Sequence, residues 1–342
     1  MKERGAVAIV GGESLLGREF RDLIAEQRLP IRVKLIGVDE SSLTLTEQDG
    51  EPVVITPLDE ENLANSAVTI LAGSQDSSRR ALALAASRAA GPSLIDMTYA
   101  AEDEPAARLR APLVEPPGYT IPAGAVHVIA HPAAIALALF RARADAAFRI
   151  RRWLAHIFEP ASERGQRGLD ELKNQTVSLL SFQQLPKEIY DAQTGFNLLA
   201  RYGEEAPQTL ESIELRIERH LASLLGSHGA APMPSIRLVQ APVFHGYSIS
   251  VHAEFEERPD EQTLAEALSS PEVDVRMGDL EPPNNVGIAG QGGIAVGAIS
   301  LDRNNPNGCW FWVVADNFRL TAENALAITR SVLAVPEPGE AP

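Results

Sequence analysis

The chain has 342 residues, of which 45% are apolar and 22% charged, and a net charge of −16. That is apolar material for two domains of about 150 residues each, while the acidic balance argues against nucleic acid as a partner, because phosphates need a basic footprint. The single cysteine, Cys309, excludes an internal disulfide and a cysteine-based metal cluster. No stretch has the apolar run of a leader or a membrane span, so a soluble cytoplasmic protein with no membrane partner is expected.

Residues 6–10, AVAIV, read as a strand buried on both faces. Gly11-Gly12 ends it, and LLGREFRDLIAEQ follows with helical periodicity. A strand, a glycine turn and a helix open a dinucleotide-binding unit. The same turn carries Glu13 and Ser14, which put a carboxylate and a side chain where a pyrophosphate prefers bare backbone; many strand-to-helix turns also use glycine for geometry alone. A second strand, 32–39, ends in Asp39 and Glu40. An acid there can bond a ribose 2′-hydroxyl and repels a 2′-phosphate, which would favour NAD over NADP; the alternative is a polar loop.

Further strands follow at 67–73 and in SLIDMTY, with the helix SQDSSRRALALAASRAAG between them. Strands alternating with helices predict a doubly wound parallel sheet. The Pro- and Ala-rich segment AAEDEPAARLRAPLVEPPGYTIPAGA reads as a surface connection. Next comes HVIAHPAAIALALF, a strand closed by His131-Pro132 and followed by a helix. A thiol in the first turn of such a helix would feel the positive end of its dipole, but the residues there are Ala133 and Ala134. The cluster RARADAAFRIRR (141–152) reads as a solvated helix face.

Beyond residue 140 the long alternating runs RRWLAHIFEP, SIRLVQAPVFHGYSISVHAEFEE and CWFWVVAD predict an antiparallel sheet, with helices in RGLDELKNQTVSLLS and ESIELRIERHLASLL. This is an α+β domain whose broad sheet face suits a dimer. RLTAENALAITRSVLAV reads as a closing amphipathic helix.

Several pieces resemble the aspartate-semialdehyde dehydrogenase family: AIVGGESLLGRE, ILAGS, VIAHPAAIALAL, GLDELKNQT, FNLLAR, APVFHGYSISV and WVVADNFR. They run in the family's order across nearly the whole chain. The resemblance implies an α/β protein with a Rossmann-like parallel-sheet domain at 1–131 completed by 318–336. An α+β domain at 132–317 would carry a mainly antiparallel sheet used for homodimerisation, and 337–342 would be a disordered tail. In the family the first domain carries NADP and the second reductively dephosphorylates aspartyl phosphate through a cysteine thioester. The cofactor positions that the resemblance implies are Gly11, Gly12, Ser14, Leu15, Leu16, Gly17, Ala72, Gly73 and Asn317; no metal is implied.

The family's catalytic signature departs at each key position. Its A-N-P-x-C falls on Ala130 to Ala134, so Ala134 stands for the nucleophile, and an alanine cannot form a thioester. Its G-H-S falls on Gly246, Tyr247 and Ser248, and its Y-Q-A gives Glu159. The substrate carboxylate's arginine falls on Gln240, the phosphate's arginine on Glu102, and E-x-x-K on Glu211 and Glu214, so two cationic positions have turned acidic. His245, two residues from Tyr247, would share its strand face and could substitute; His131, His156 and His252 are further histidines to place. Cys309 reads as a core thiol. The expectation is a divergent paralogue with a weakened NAD(P) cleft and a binding or regulatory role, exerted through a retained small ligand or a heteromeric partner. The alternative is an NAD(P)-dependent oxidoreductase that reduces an aldehyde or oxo substrate by direct hydride transfer.

Overall fold

A computed structural model describes residues 6–38, 44–48, 51–64, 66–86, 92–116, 118–226 and 232–334. Asp39 and Glu40, whose role in choosing between NAD and NADP was weighed above, lie outside these residues, as does the tail 337–342. The chain forms two compact units, Met1–Ala130 with Thr321–Pro342, and His131–Leu320.

The first unit is built on a sheet in which β1 (Ala6–Val10) runs parallel to β2 (Val33–Ile36) on one side and β5 (Ser66–Leu71) on the other. β6 (Ser93–Asp96) and β8 (Val126–Ile129) extend it in parallel beyond β5. Val7, Ala8, Ile9 and Val10 are fully buried, which is why this strand is apolar at every position rather than at alternate ones. Ala8, Val10, Ile36, Leu58, Leu63, Leu71 and Ala81 form one core cluster; each large member contributes about 2 kcal/mol of burial. The connecting helices are α1 (Leu15–Glu26), α2 (Glu60–Ala64) and α3 (Gln75–Ala86), and the last helix, α8 (Asn317–Leu333), belongs to this unit from Thr321 on. Asn324 is tied in by the Leu113 N–H, which donates to its Oδ1 at 3.2 Å.

Two readings of the sequence need correction here. An antiparallel pair, β3 (Thr44–Gln48) and β4 (Glu51–Thr56), stands between β2 and α2, and β4 extends the sheet beside β2. The segment expected as a surface connection contains β7 (Ala107–Arg110), which pairs in parallel with β8. Its four residues, ARLR, lie at the sheet's edge, where a single neighbour demands no apolar alternation.

The second unit opens with α4 (Pro132–Ala147), buried from Pro132 to Arg141. His131 caps it, with Nδ1 accepting from the Ala133 N–H at 3.3 Å, and Pro132 occupies a first-turn position where no amide hydrogen is needed. The helix packs against α6 (Leu210–Gly226) and α7 (Glu261–Leu268) and against the sheet, where Phe140 meets Trp153 and Phe311. α5 (Gly165–Leu180) follows the first strand of that sheet through a 3-10 turn, Ala161–Arg164.

The sheet is mixed. Its core pairings, β9 (Ile150–Glu159) with β11 (Tyr247–Phe255), β11 with β14 (Gly308–Ala315), and β14 with β13 (Ile294–Leu301), are antiparallel. The outer pairings, β10 (Ser235–Gln240) with β9 and β12 (Val273–Arg276) with β13, are parallel, because long crossovers separate the partners in sequence. The expected alternating runs correspond to β9, β10, β11 and β14. β12, β13 and α7 were not anticipated: β13 reads IAVGAISL, and its bulge between Gly297 and Ser300 breaks the period-two pattern. The basic cluster at 141–152 is not one helix face either, since it runs from the end of α4 into β9. Arg141 pairs with Asp145, Arg143 with Glu272, Arg149 with Glu256, and Arg151 and Arg152 with Glu254.

Candidate functional site

In the first unit, sheet order reverses at β1, whose neighbours β2 and β5 lie on opposite sides; the crevice outside the carboxyl ends of strands at such a switch point is where open α/β sheets hold ligands. Gly11 has φ +79°, and a Cβ on it would come within 2.3 Å of Gly73 Cα. A Cβ on Gly17 would meet the Gly11 carbonyl oxygen at 2.4 Å, and one on Gly12 the Leu35 side chain at 2.8 Å. The glycines therefore let α1 seat closely against the ends of β1 and β5, with Leu15 and Leu16 as its first residues. Ser14 fixes this helix end: its Oγ accepts from Gly17 N–H at 2.9 Å and donates to the Ala72 carbonyl at 2.6 Å. Glu13 does not stand as a bare carboxylate, because Arg21 pairs with it at 2.8 Å and Arg18 at 3.4 Å. Arg21 also donates to the Gly12 carbonyl at 3.1 Å. A glycine-lined turn at a helix N-terminus, its serine committed to the cap and its one acid matched by two arginines, is compatible with a dinucleotide's phosphates.

The positions that the resemblance assigns to catalysis lie in the second unit. Ala134 and Tyr247 are fully buried. The Tyr247 ring lies 5.8 Å from that of His131, centroid to centroid. His245 is exposed against Phe318 and does not share a strand face with Tyr247, because β11 begins at Tyr247 and Gly246, at φ +79°, turns the chain just before it. Asn317 accepts from Gly246 N–H at 3.1 Å through Oδ1 and donates from Nδ2 to Glu163 Oε1 at 2.8 Å. Ser162 Oγ lies 3.3 Å from the same Oδ1.

Glu159 and Gln240 are joined in one buried network. Arg164 pairs with Glu159 and also bonds Gln208. Gln240 donates to the Glu159 and Ala241 carbonyls at 2.9 and 3.0 Å, and its Oε1 accepts from Tyr202 at 2.6 Å. Both amide hydrogens are thereby committed, so Gln240 serves as an internal strut. Burial and the neighbouring Glu159 carboxylate push the Tyr202 hydroxyl up and keep it a donor. Glu163 is also pushed up, to about 7, first by burial and then by Glu159, against the opposing pull of Arg164, Asn317 and Arg216. Its Oε2 faces His131 Nε2 at 3.9 Å. The structure therefore brings together a buried carboxyl, its proton affinity raised by burial, and a histidine at the start of α4.

The remaining positions are dispersed. Glu211 is exposed in the first turn of α6, and Glu214 accepts the Leu238 N–H of β10 at 2.6 Å. Glu102 lies in the first unit, in the turn after β6. His252 pairs with Asp302 at 3.0 Å against Trp310, and His156 is exposed on β9. Cys309 is buried in the core, and burial pushes its thiol up to about 12. Among the described residues no group of three or more His, Cys, Asp or Glu is placed to hold a metal ion, and no helix is long and apolar enough to cross a membrane. Sequence reasoning missed Glu163, Arg164 and Tyr202. Its available signal was SERG, two adjacent charges in a tight turn between an apolar strand and a helix.

Known proteins resemble this chain over nearly its whole length. An aspartate-semialdehyde dehydrogenase of Rickettsia bellii is 26% identical over 97% of this chain and 99% of its own. A USG-1 protein homolog of Pseudomonas aeruginosa is 28% identical over 92% and 93%. The structure of a probable aspartate-semialdehyde dehydrogenase from Pseudomonas aeruginosa superposes with a TM-score of 0.84 at 25% identity, covering 97% of this chain and 99% of that one. Aspartate semialdehyde dehydrogenase II from Vibrio cholerae, at 20% identity and a TM-score of 0.82 over 98% and 100%, shares the fold. Residues 144–320 match the family described as semialdehyde dehydrogenase, dimerisation domain, and since they make up more than half of the chain, the protein belongs to the semialdehyde dehydrogenase family.

Proposed function

We propose that this chain is a cytoplasmic, homodimeric member of the family that does not run the thioester dehydrogenase reaction and acts by binding, as a regulatory or ligand-sensing protein. The observation that carries this reading is the pair Ala134 and Tyr247, both fully buried, at the positions that the resemblance assigns to the thiol and the imidazole. A methyl group cannot attack a carbonyl, and a phenol with an ordinary pKa near 10 is a poor base at neutral pH. The Glu159–Arg164 pair supports it further, because the cation near Gln240 is committed to an internal carboxylate and to Gln208 rather than to a substrate anion. The cradle of Gly11, Gly12, Ser14, Gly17, Ala72 and Gly73 is proposed to keep a pyridine dinucleotide. The test has two arms: turnover of aspartate semialdehyde with NADP and phosphate, and thermal-shift titrations with NAD, NADH, NADP and NADPH. Turnover would overturn the reading; a nucleotide shift without turnover is the expected result. A heteromeric partner would appear as a mixed dimer on co-expression with an authentic dehydrogenase.

A second reading is favoured by Glu163, an acid pushed up to about 7 beside His131. Such a group can donate a proton to an oxo substrate reduced by direct hydride transfer, in place of the His245 or Tyr247 expected from sequence. Oxidation of NADH or NADPH by a panel of aldehydes, abolished by Glu163→Ala, would favour this reading over binding alone.

A further inference from the structure

α5 ends where glycine is the usual residue and phenylalanine stands instead. Ser181 caps the helix, the Gln183 N–H donates to the Ser178 carbonyl at 2.8 Å, and Phe182 between them has φ +56°. This is the helix-ending loop whose left-handed position glycine fills with least strain. Phe196 repeats the choice. The Asn197 N–H closes a turn on the Thr194 carbonyl at 3.1 Å, and Phe196 sits inside it at φ +58°. Side chains strain the backbone in this region, bulky ones most. Both rings nevertheless lie outward, Phe182 99% exposed and Phe196 67%. Held in water, each ring costs the fold twice, in backbone strain and in apolar hydration, and covering the rings removes the second cost.

The two rings belong to one platform. α5 rests on the turn before it and on the loop after it, where Glu171 accepts the Ile189 N–H at 2.6 Å. Gln175 Oε1 accepts the Thr194 and Gly195 N–H groups at 2.6 and 3.0 Å, while its Nε2 donates to the Pro186 and Ala192 carbonyls. Gly195 lies so near α5 that a Cβ on it would be 3.1 Å from the Leu179 side chain. Val177 and Leu180 on the helix and Leu198 in the loop are exposed as well. Together such side chains offer on the order of 500 Å² of apolar surface, a size at which a patch on a soluble protein marks an association site.

We propose that the patch made by the C-terminal half of α5 and residues 194–198 is where a second copy of this chain docks, with Phe182 and Phe196 as the anchors. Two features select a second copy as the occupant. The patch lies within residues 144–320, which match a dimerisation domain. The chain carries a net charge of −16, yet residues 172–186 and 192–200 contain no Asp or Glu, and their one charged residue is Lys173. Two acidic copies therefore approach there with least repulsion, and a twofold contact sets the same apolar patch of each against the other. The assignment rests on the homodimer reading, and it puts the anchor of the contact on α5 and its loop rather than on the open face of the sheet.

Sedimentation equilibrium of the full-length protein measures the association. Asparagine accepts the left-handed conformation, so Phe182→Asn with Phe196→Asn removes both rings without adding strain. The wild type is expected to be a dimer, and the paired variant to dissociate at least about a hundredfold more readily, as the loss of two aromatic anchors predicts. Leu180→Lys, on the regular helix, should weaken the dimer by about tenfold or more. These side chains are exposed, so each variant should keep the circular dichroism of the wild type. Added salt should leave the wild-type dimer unchanged or tighter, because it screens the net charge; weakening would mean an interface of ion pairs and overturn the assignment. A dimer that survives both variants would overturn it too, and dissociation by His156→Glu, at an exposed position of β9, would then place the contact on the sheet. A monomeric wild type would instead overturn the homodimer reading itself, so the two failures are distinguishable.

Discussion

Replacing Glu163 with glutamine should make the protein more stable, and the gain should depend on pH. The carboxyl moves from an ordinary value of 4.5 to about 7 on folding, mainly because its charged form is buried. Between those values the folded state holds a proton that the unfolded state has released, so stability falls as pH rises through this interval. The full interval is worth about 3 kcal/mol. Glutamine reproduces the neutral acid's shape and its acceptor for Asn317 without the titration. The wild type and Glu163→Gln should therefore unfold alike near pH 4.5 and diverge as pH rises, reaching about 3 kcal/mol by pH 8. For a unit of this size that is roughly 6–12 °C in melting temperature. Calorimetric scans of both proteins from pH 4.5 to pH 8 measure it. Parallel curves, or a variant less stable than wild type at pH 8, would show that Glu163 is ionised throughout and refute the reasoning.

Other substitutions test other parts of the molecule. Arg164→Met should cost about 3–5 kcal/mol in urea unfolding, since it strands the buried Glu159 carboxylate, and adding Glu159→Gln should recover part of that loss; strictly additive costs would mean the pair is not coupled. Ser14→Ala should lower stability by about 1 kcal/mol through the lost helix cap, and weaken any nucleotide-induced thermal shift. On the proposed reading, in which Tyr247 and Gln240 stand at the base and anion positions, Ala134→Cys should not confer turnover of aspartate semialdehyde; measurable turnover would show that the thiol was the one missing group. Cys309, its thiol pushed up to about 12, should react with a disulfide reagent at pH 8 only as fast as the protein unfolds, and rapid labelling of the native protein would contradict its burial.

Much of the fold can be read locally. The apolar run at 6–10, the glycine turn and the alternating runs that became β9, β11 and β14 each follow from spacing, because burial on one or two faces imposes its period on the residues themselves. That residue 134 is an alanine is also a local fact, and no fold can give a methyl group a thiol's chemistry. The edge strand β7, the bulged β13 and the parallel outer pairings of the second sheet left little local trace, because edges and bulges relax the pattern and strand direction depends on the crossover, not on the strand. The site depended most on tertiary structure. Glu13 reads as an obstacle to phosphate until Arg21, eight residues along the chain, is seen to pair with it, and His245 reads as a substitute base until Gly246 is seen to turn it aside. Glu163 looks like a solvated charge in a turn; only the fold surrounds it with Glu159, Asn317 and His131, and a carboxyl's proton affinity is set by such neighbours across space, which no spacing along the chain encodes.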